Sequence, residues 1–196
     1  MSGCVCEKLN HTTSSLINHD SSNIKMKGIN ILHFFVLLLI AYYSLLMKIL
    51  VVCLGNICRS PLGEGILKSK LPENFVVDSV GTISMHEGKK PDERSIEIAK
   101  NHGIDISKQR SRPITKADLE NFDHIYCMDL SVYEDVISMA KNEEQRKKIS
   151  LFLEAAGNNG ENNEVPDPYW GTLADFENVY QMIDEASSKI AQKLVN

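Results

Sequence analysis

From Met47 to the C-terminus, short apolar runs rich in β-branched residues alternate with segments of helical pattern, and this alternation leaves few folds open. Lys48-Ile49-Leu50-Val51-Val52 has no polar alternation, as expected of a parallel strand covered on both faces. Phe75–Val80, His124–Met128 and Ile149–Phe152 read as three further strands. Between them a helix is predicted from about Ser60 to Lys70, with Ser60 as N-cap and Pro61 in the first turn. Others are expected over Pro91–His102, stopped by Gly103, over Thr115–Asn121, and after a capping box at Ser131–Glu134. Residues 154–172 read as a Gly/Asn/Pro-rich loop. The last helix, Leu173–Leu194, carries Phe176, Val179, Tyr180, Ile183, Ile190 and Leu194 at helical spacing. Strand and helix in alternation predict an α/β fold with a parallel sheet and helices on both faces.

The first 46 residues do not share this pattern. Residues 1–28 are polar, and their composition predicts disorder. Ile29 to Met47 is a nearly continuous apolar run, about long enough to span a bilayer. No linker separates that run from the strand at Lys48, so a spanning helix would press the next domain into the headgroups. Two expectations stand: residues 1–46 are an extension upstream of a natural start at Met47, or residues 29–47 are a membrane anchor. Residues 47–196 are the expected folded domain.

At 43% hydrophobic and 24% charged residues, the chain can build an ordinary core. A net charge of −5 argues against a nucleic-acid binder. The first 46 residues carry three lysines against two carboxylates, so the acidic excess belongs to the remainder. Any anionic substrate must then be drawn in by a local site. The five cysteines, Cys4, Cys6, Cys53, Cys58 and Cys127, do not form an even disulfide framework and fit a reducing, cytoplasmic compartment.

One segment carries chemistry. Cys53-Leu54-Gly55-Asn56-Ile57-Cys58-Arg59-Ser60-Pro61 lies between the first strand and the first helix, where open α/β sheets bind ligands. A loop entering a helix N-terminus presents backbone N–H groups to an anion. Gly55 is expected to allow the curl that aims them inward. The Cys53-to-Arg59 spacing lets the loop circle a tetrahedral phosphate, with Arg59 reaching back to bind two oxygens. Helix N-termini and nearby cations favour thiolates, the form that attacks phosphorus. Ser60 is placed to donate to the sulfur. A second segment, Val165-Pro166-Asp167-Pro168-Tyr169-Trp170, offers a carboxyl in a proline-stiffened loop as proton donor, and two aromatics as a wall for an aryl group.

Residues 52–61 together with Asp167-Pro168-Tyr169 resemble the low-molecular-weight protein tyrosine phosphatases, and the similarity covers about residues 47–196. Asp78-Ser79, Gly81-Thr82, Pro91-Asp92 and Lys100–Gly103 extend the match. The resemblance implies a flavodoxin-like three-layer sandwich with a four-stranded parallel sheet, no metal and no cofactor. It implies that Cys53 is the nucleophile that becomes phosphocysteine, Arg59 the phosphoryl clamp and Asp167 the general acid and then base. Leu54, Gly55, Asn56, Ile57, Cys58 and Ser60 line the phosphate site, and Tyr169 and Trp170 form the rim. Asn56 and Ser79 brace the loop, and Cys58 can pair with Cys53 on oxidation. A phosphotyrosine-bearing protein, such as a tyrosine kinase, is the implied partner of a monomeric enzyme. The sequence departs from the family at the opposite wall, where Met85 replaces an aromatic residue.

Three other functions share part of this pattern. An arsenate reductase needs two further cysteines, and only Cys127 lies outside the loop in this domain. A phosphoarginine phosphatase would carry threonine at Ile57. A silent phosphoprotein-binding module would not need the full catalytic set. His86, His102 and His124 show no metal spacing, and Tyr133 reads as a surface residue.

Overall fold

The computed structural model describes Val36, residues 46–158, Gly160 and residues 163–196. The disorder expected of residues 1–28 lies outside these, as does the apolar run apart from Val36, Leu46 and Met47. The chain divides into Met1–Tyr43 and Ser44–Asn196, and the fold is that of the second unit. Among the described residues no helix is long and apolar enough to cross a membrane.

Four strands, β1 (Met47–Cys53), β2 (Phe75–Gly81), β3 (His124–Cys127) and β4 (Ile149–Leu151), form one sheet in the order β2-β1-β3-β4. Every pairing is parallel, with Val52 beside both Val80 and Cys127. The alternation of side chains along β1 divides the core. Ile49, Val51 and Cys53 face one cluster with Leu62 and Ile66 of α1 (Arg59–Lys70), Ile98 of α2 (Glu93–Asn101), and Phe176, Val179 and Ile183 of α7 (Leu173–Val195). Leu50 and Val52 face the other, with Leu119 of α3 (Lys116–Asn121) and Val132 and Val136 of α4 (Leu130–Met139). This is the predicted flavodoxin-like sandwich. Each fully buried aliphatic side chain contributes about 1.5–3 kcal/mol, which is why a strand apolar and buried from Ile49 to Cys53 must lie between two helical layers.

Several boundaries differ from expectation. Short helices α5 (Glu143–Lys147) and α6 (Phe152–Ala155) appear where no period announced them. Phe152 therefore opens a helix and does not close β4. α2 starts at Glu93 rather than Pro91, because the Asp92 side chain accepts from Arg94 N as its cap. α4 is capped by Asp129, which accepts from Val132 N, and not by Ser131. Tyr133 packs partly against the second core cluster. α3 opens with a Thr115–Asp118 capping box that was not expected.

β1 is the point where the topology reverses. The chain leaves β1 towards β2 on one side, and later returns to β3 on the other. The carboxyl end of β1, at Cys53, thus opens into the crevice where such sheets bind ligands.

Candidate active site

The loop from Cys53 to Arg59 is shaped by where its carbonyls go. Cys53 O accepts from Thr82 N at 3.0 Å, and Leu54 O from Ile83 N at 3.1 Å. Gly55 O accepts from Ser111 Oγ at 3.1 Å, Ile57 O from Asp92 N at 2.8 Å, and Cys58 O from Ser95 Oγ at 3.4 Å. Five carbonyls are thus held by partners outside the loop, an arrangement compatible with the expected anion nest. One amide of the loop, Asn56 N, points at Cys53 Sγ from 3.3 Å.

The expected role of Gly55 needs correction. The left-handed residue in the loop is Asn56, at φ +52°, and not the glycine. Asparagine tolerates that region better than most residues. Its side chain secures the conformation: Nδ2 donates to Ser60 Oγ (2.9 Å) and Ser79 Oγ (3.0 Å), and Oδ1 accepts from Arg112 N (3.0 Å). Ser79 Oγ in turn donates to the buried Glu64 Oε2 at 2.6 Å. At Gly55 a Cβ would lie 3.1 Å from the His86 ring, which would have to give by a few tenths of an ångström. Gly81, at the end of β2, is required: a Cβ would lie 2.7 Å from Leu54 O.

Ser60 is not the helix cap. α1 begins at Arg59 after Cys58, and no side chain caps it. A hydroxyl bonded to the first-turn amides would occupy the donors that a helix N-terminus offers to an anion. Ser60 Oγ lies 3.0 Å from Cys53 Sγ instead. Of the two loop cysteines, Cys58 is disfavoured as a nucleophile. Burial, with the charges of Asp92 and Cys53, holds its thiol well above the ordinary cysteine range. Cys127 is also buried on β3, and burial, helped by Asp129, raises its thiol far above that range. Its burial disfavours a redox relay.

Arg59 is almost fully buried and joins the two halves of the site. Nη1 donates to Asp129 Oδ2 at 2.5 Å and to Val165 O at 3.0 Å. Nη2 donates to Asp167 Oδ2 at 3.0 Å. Burial alone would lower the guanidinium's hold on its proton. The charges of Cys53, Asp167 and Asp129 outweigh it and keep Arg59 above its usual range. Asp129 escaped the sequence reading because its other oxygen caps α4, which looks like an ordinary cap.

The segment around Asp167 is held by α2. Arg94 pairs with Asp92 through Nε and Nη2, at 2.9 and 2.8 Å, and donates to Tyr169 O (3.1 Å) and Gly171 O (3.0 Å). Its guanidinium also lies 4.2 Å from the Phe176 ring centroid. The hydrogen bonds and charge of Arg94 draw Asp92 below the usual carboxylate range. Asp167 Oδ1 accepts from Tyr169 N at 3.2 Å, so a local turn aims the carboxyl.

A cleft of about 380 Å³ collects these groups: Cys53, Arg59, Asp167, Tyr169 and Trp170 line it together with Ile83, Met85 and His86. The two aromatic rings meet edge to face at 4.9 Å, and Trp170 is 93% exposed. Met85, 72% exposed, forms the opposite wall. His86 belongs to this wall although its spacing suggested no role; only its packing on Gly55 reveals it. Among the described residues no group of three or more His, Cys, Asp or Glu could hold a metal.

The family described as low molecular weight phosphotyrosine protein phosphatase matches residues 48–196. The human low molecular weight phosphotyrosine protein phosphatase is 39% identical over 141 residues, covering 68% of this chain and 87% of the relative. A crystal structure of a protein tyrosine phosphatase from Entamoeba histolytica, with Hepes in its active site, aligns with a TM-score of 0.71 at 36% identity. It covers 76% of this chain and 97% of that one. Vibrio vulnificus Wzb in complex with benzylphosphonate aligns with a TM-score of 0.68 at 38% identity, over 76% and 99% of the two chains. The chain belongs to the low-molecular-weight protein tyrosine phosphatases. It is a phosphoric monoester hydrolase acting through a phosphocysteine intermediate.

Proposed function

We propose that residues 47–196 are the catalytic domain, and that Cys53, Arg59 and Asp167 perform the two chemical steps on phosphotyrosine in a protein. The observation that carries this is the convergence of all three on one cleft, with Arg59 bridging the loop of Cys53 to Asp167. In the first step Cys53 Sγ, as thiolate, attacks phosphorus. The P–S bond forms while the bond to the phenolic oxygen breaks, and Asp167 gives that oxygen its proton. The inward amides and Arg59 bear the charge on the transferring phosphoryl group. In the second step water attacks phosphocysteine and passes a proton to Asp167. The P–S bond breaks, Ser60 Oγ donates to the returning thiolate, and inorganic phosphate leaves.

Leu54, Gly55, Ile57 and Cys58 form the phosphate receptor, Asn56 and Ser79 hold its shape, and Tyr169 and Trp170 flank the aryl ring. The free, buried Cys58 and Cys127 support a reducing, cytoplasmic location. A tyrosine kinase is a fitting partner for a monomeric enzyme of this kind.

The decisive measurement is hydrolysis of p-nitrophenyl phosphate and of a phosphotyrosyl peptide. Cys53→Ser is expected to lower kcat by a factor on the order of 10⁴ or more, with the phosphopeptide still bound. Retained turnover would remove Cys53 from its role. Detecting the native protein by size in cell fractions tests the location, since a full-length membrane-bound species would contradict it.

A further inference from the structure

A second cavity, of about 400 Å³, adjoins the catalytic cleft and shares Leu54, Arg59 and Asp167 with it. Its remaining walls include Asp129, Glu164 and Pro166. Because the two cavities share these residues, a phosphotyrosyl peptide seated over Cys53 can place a neighbouring side chain in the second one.

Its lining has two kinds of surface. Leu54 is 42% exposed, and with the exposed Pro166 it offers an apolar floor. The carboxylates of Asp129, Glu164 and Asp167 line the same cavity. Among the described lining residues the single cation is Arg59, which already donates to Asp129, Asp167 and Val165 O, and the incoming phosphate adds further negative charge beside it. Asp129 and Asp167 are thus paired with Arg59. Glu164 Oε1 accepts only a long bond, 3.4 Å, from Leu130 N, and among the described residues Glu164 has no ion pair. An apolar floor beside an uncompensated carboxylate suits a side chain with a methylene stem and a cationic head.

We infer that this second cavity is a specificity subsite that receives a lysine or arginine side chain flanking the phosphotyrosine, with Glu164 as its recognition residue. The inference rests on the placement of the phosphate at Cys53 and Arg59. Glu164 acts on binding and takes no part in the chemical steps. The contact is half-exposed, so its strength falls with salt.

The experiment uses the full chain and one phosphotyrosyl peptide flanked by alanines, each replaced in turn by lysine or glutamate. At low ionic strength one lysine position is expected to lower KM about threefold relative to alanine, with kcat unchanged, and glutamate at that position to raise it. The lysine-to-alanine KM ratio should approach one in Glu164→Gln and invert in Glu164→Lys. Because each ratio is taken within one variant, a general loss of activity does not affect it. Equal KM values for the three peptides, or a lysine preference that survives both substitutions, would overturn the subsite. Absence of p-nitrophenyl phosphate turnover in the unsubstituted enzyme would instead overturn the catalytic reading beneath it.

Discussion

The phosphate loop and the Asp167 loop meet at Arg59 but are built in opposite ways. Five carbonyls of the first are tied outward, and Asn56 and Ser60 are buried beneath it. The second is anchored by Val165 N to Met128 O at 2.7 Å and by the guanidinium bonds of Arg59 and Arg94, while Asp167 and Trp170 stand exposed. The difference fits the tasks proposed for them. A receptor that stabilises developing charge works only if its donors are fixed before the reaction. A carboxyl that first gives a proton to a phenol and then takes one from water must reach two partners, and needs less fixing.

Replacing Asp167 by Asn tests whether the two loops have separate duties. Loss of the proton donor is expected to lower kcat on a phosphotyrosyl peptide by about 10²–10⁴. The loss should be much smaller on p-nitrophenyl phosphate, whose leaving group needs the proton less. Equal losses on both substrates would mean that Asp167 shapes the phosphate receptor through Arg59 rather than serving the leaving oxygen.

The phosphate loop has its own internal test at Asn56. Asn56→Ala removes three hydrogen bonds and leaves a less tolerant residue at positive φ, a conformation costing roughly 1–3 kcal/mol. Asn56→Gly removes the same bonds but relieves the φ. Both variants should lose kcat, on the order of tenfold or more, because the inward amides are no longer held. The glycine variant should melt at the higher temperature. A glycine variant with full activity would show that the backbone bonds alone set the loop, and would weaken the contrast with the Asp167 loop.

What the sequence disclosed follows the same division. β1, the loop and the first helix lie together in the chain, so the apolar run, the Cys53-to-Arg59 spacing and the helix start were legible at once. So was the proline-stiffened Asp167 segment. The joints between them were not. Asp129 lies 70 residues from Arg59 and looks like a cap residue. Arg94 looks like a surface helix residue until its bonds to Tyr169 O and Gly171 O are seen. Gly55 invited a turn argument that belongs to Asn56, because a side-chain network can hold asparagine where glycine is the usual choice. Helices of four or five residues, α5 and α6, carry too few positions for a period.

The smallest expected effect separates two neighbours within the Asp167 loop. Tyr169 packs partly against the main core cluster, and the Arg94 guanidinium carbon lies 5.9 Å from its ring centroid. Trp170 meets Tyr169 edge to face but is otherwise in solvent. If Trp170 serves the substrate's aryl ring, Trp170→Ala should leave stability within about 0.5 kcal/mol and raise KM for a phosphotyrosyl peptide by a few fold. An alkyl phosphate, with no ring to stack, should be unaffected. Tyr169→Ala should lower both stability and affinity, since its ring fills core space as well as lining the cleft. Urea titration of the two variants beside KM on the aryl and alkyl substrates distinguishes these outcomes. A Trp170 variant that loses stability but keeps its KM would move the aryl wall entirely onto Tyr169 and Met85.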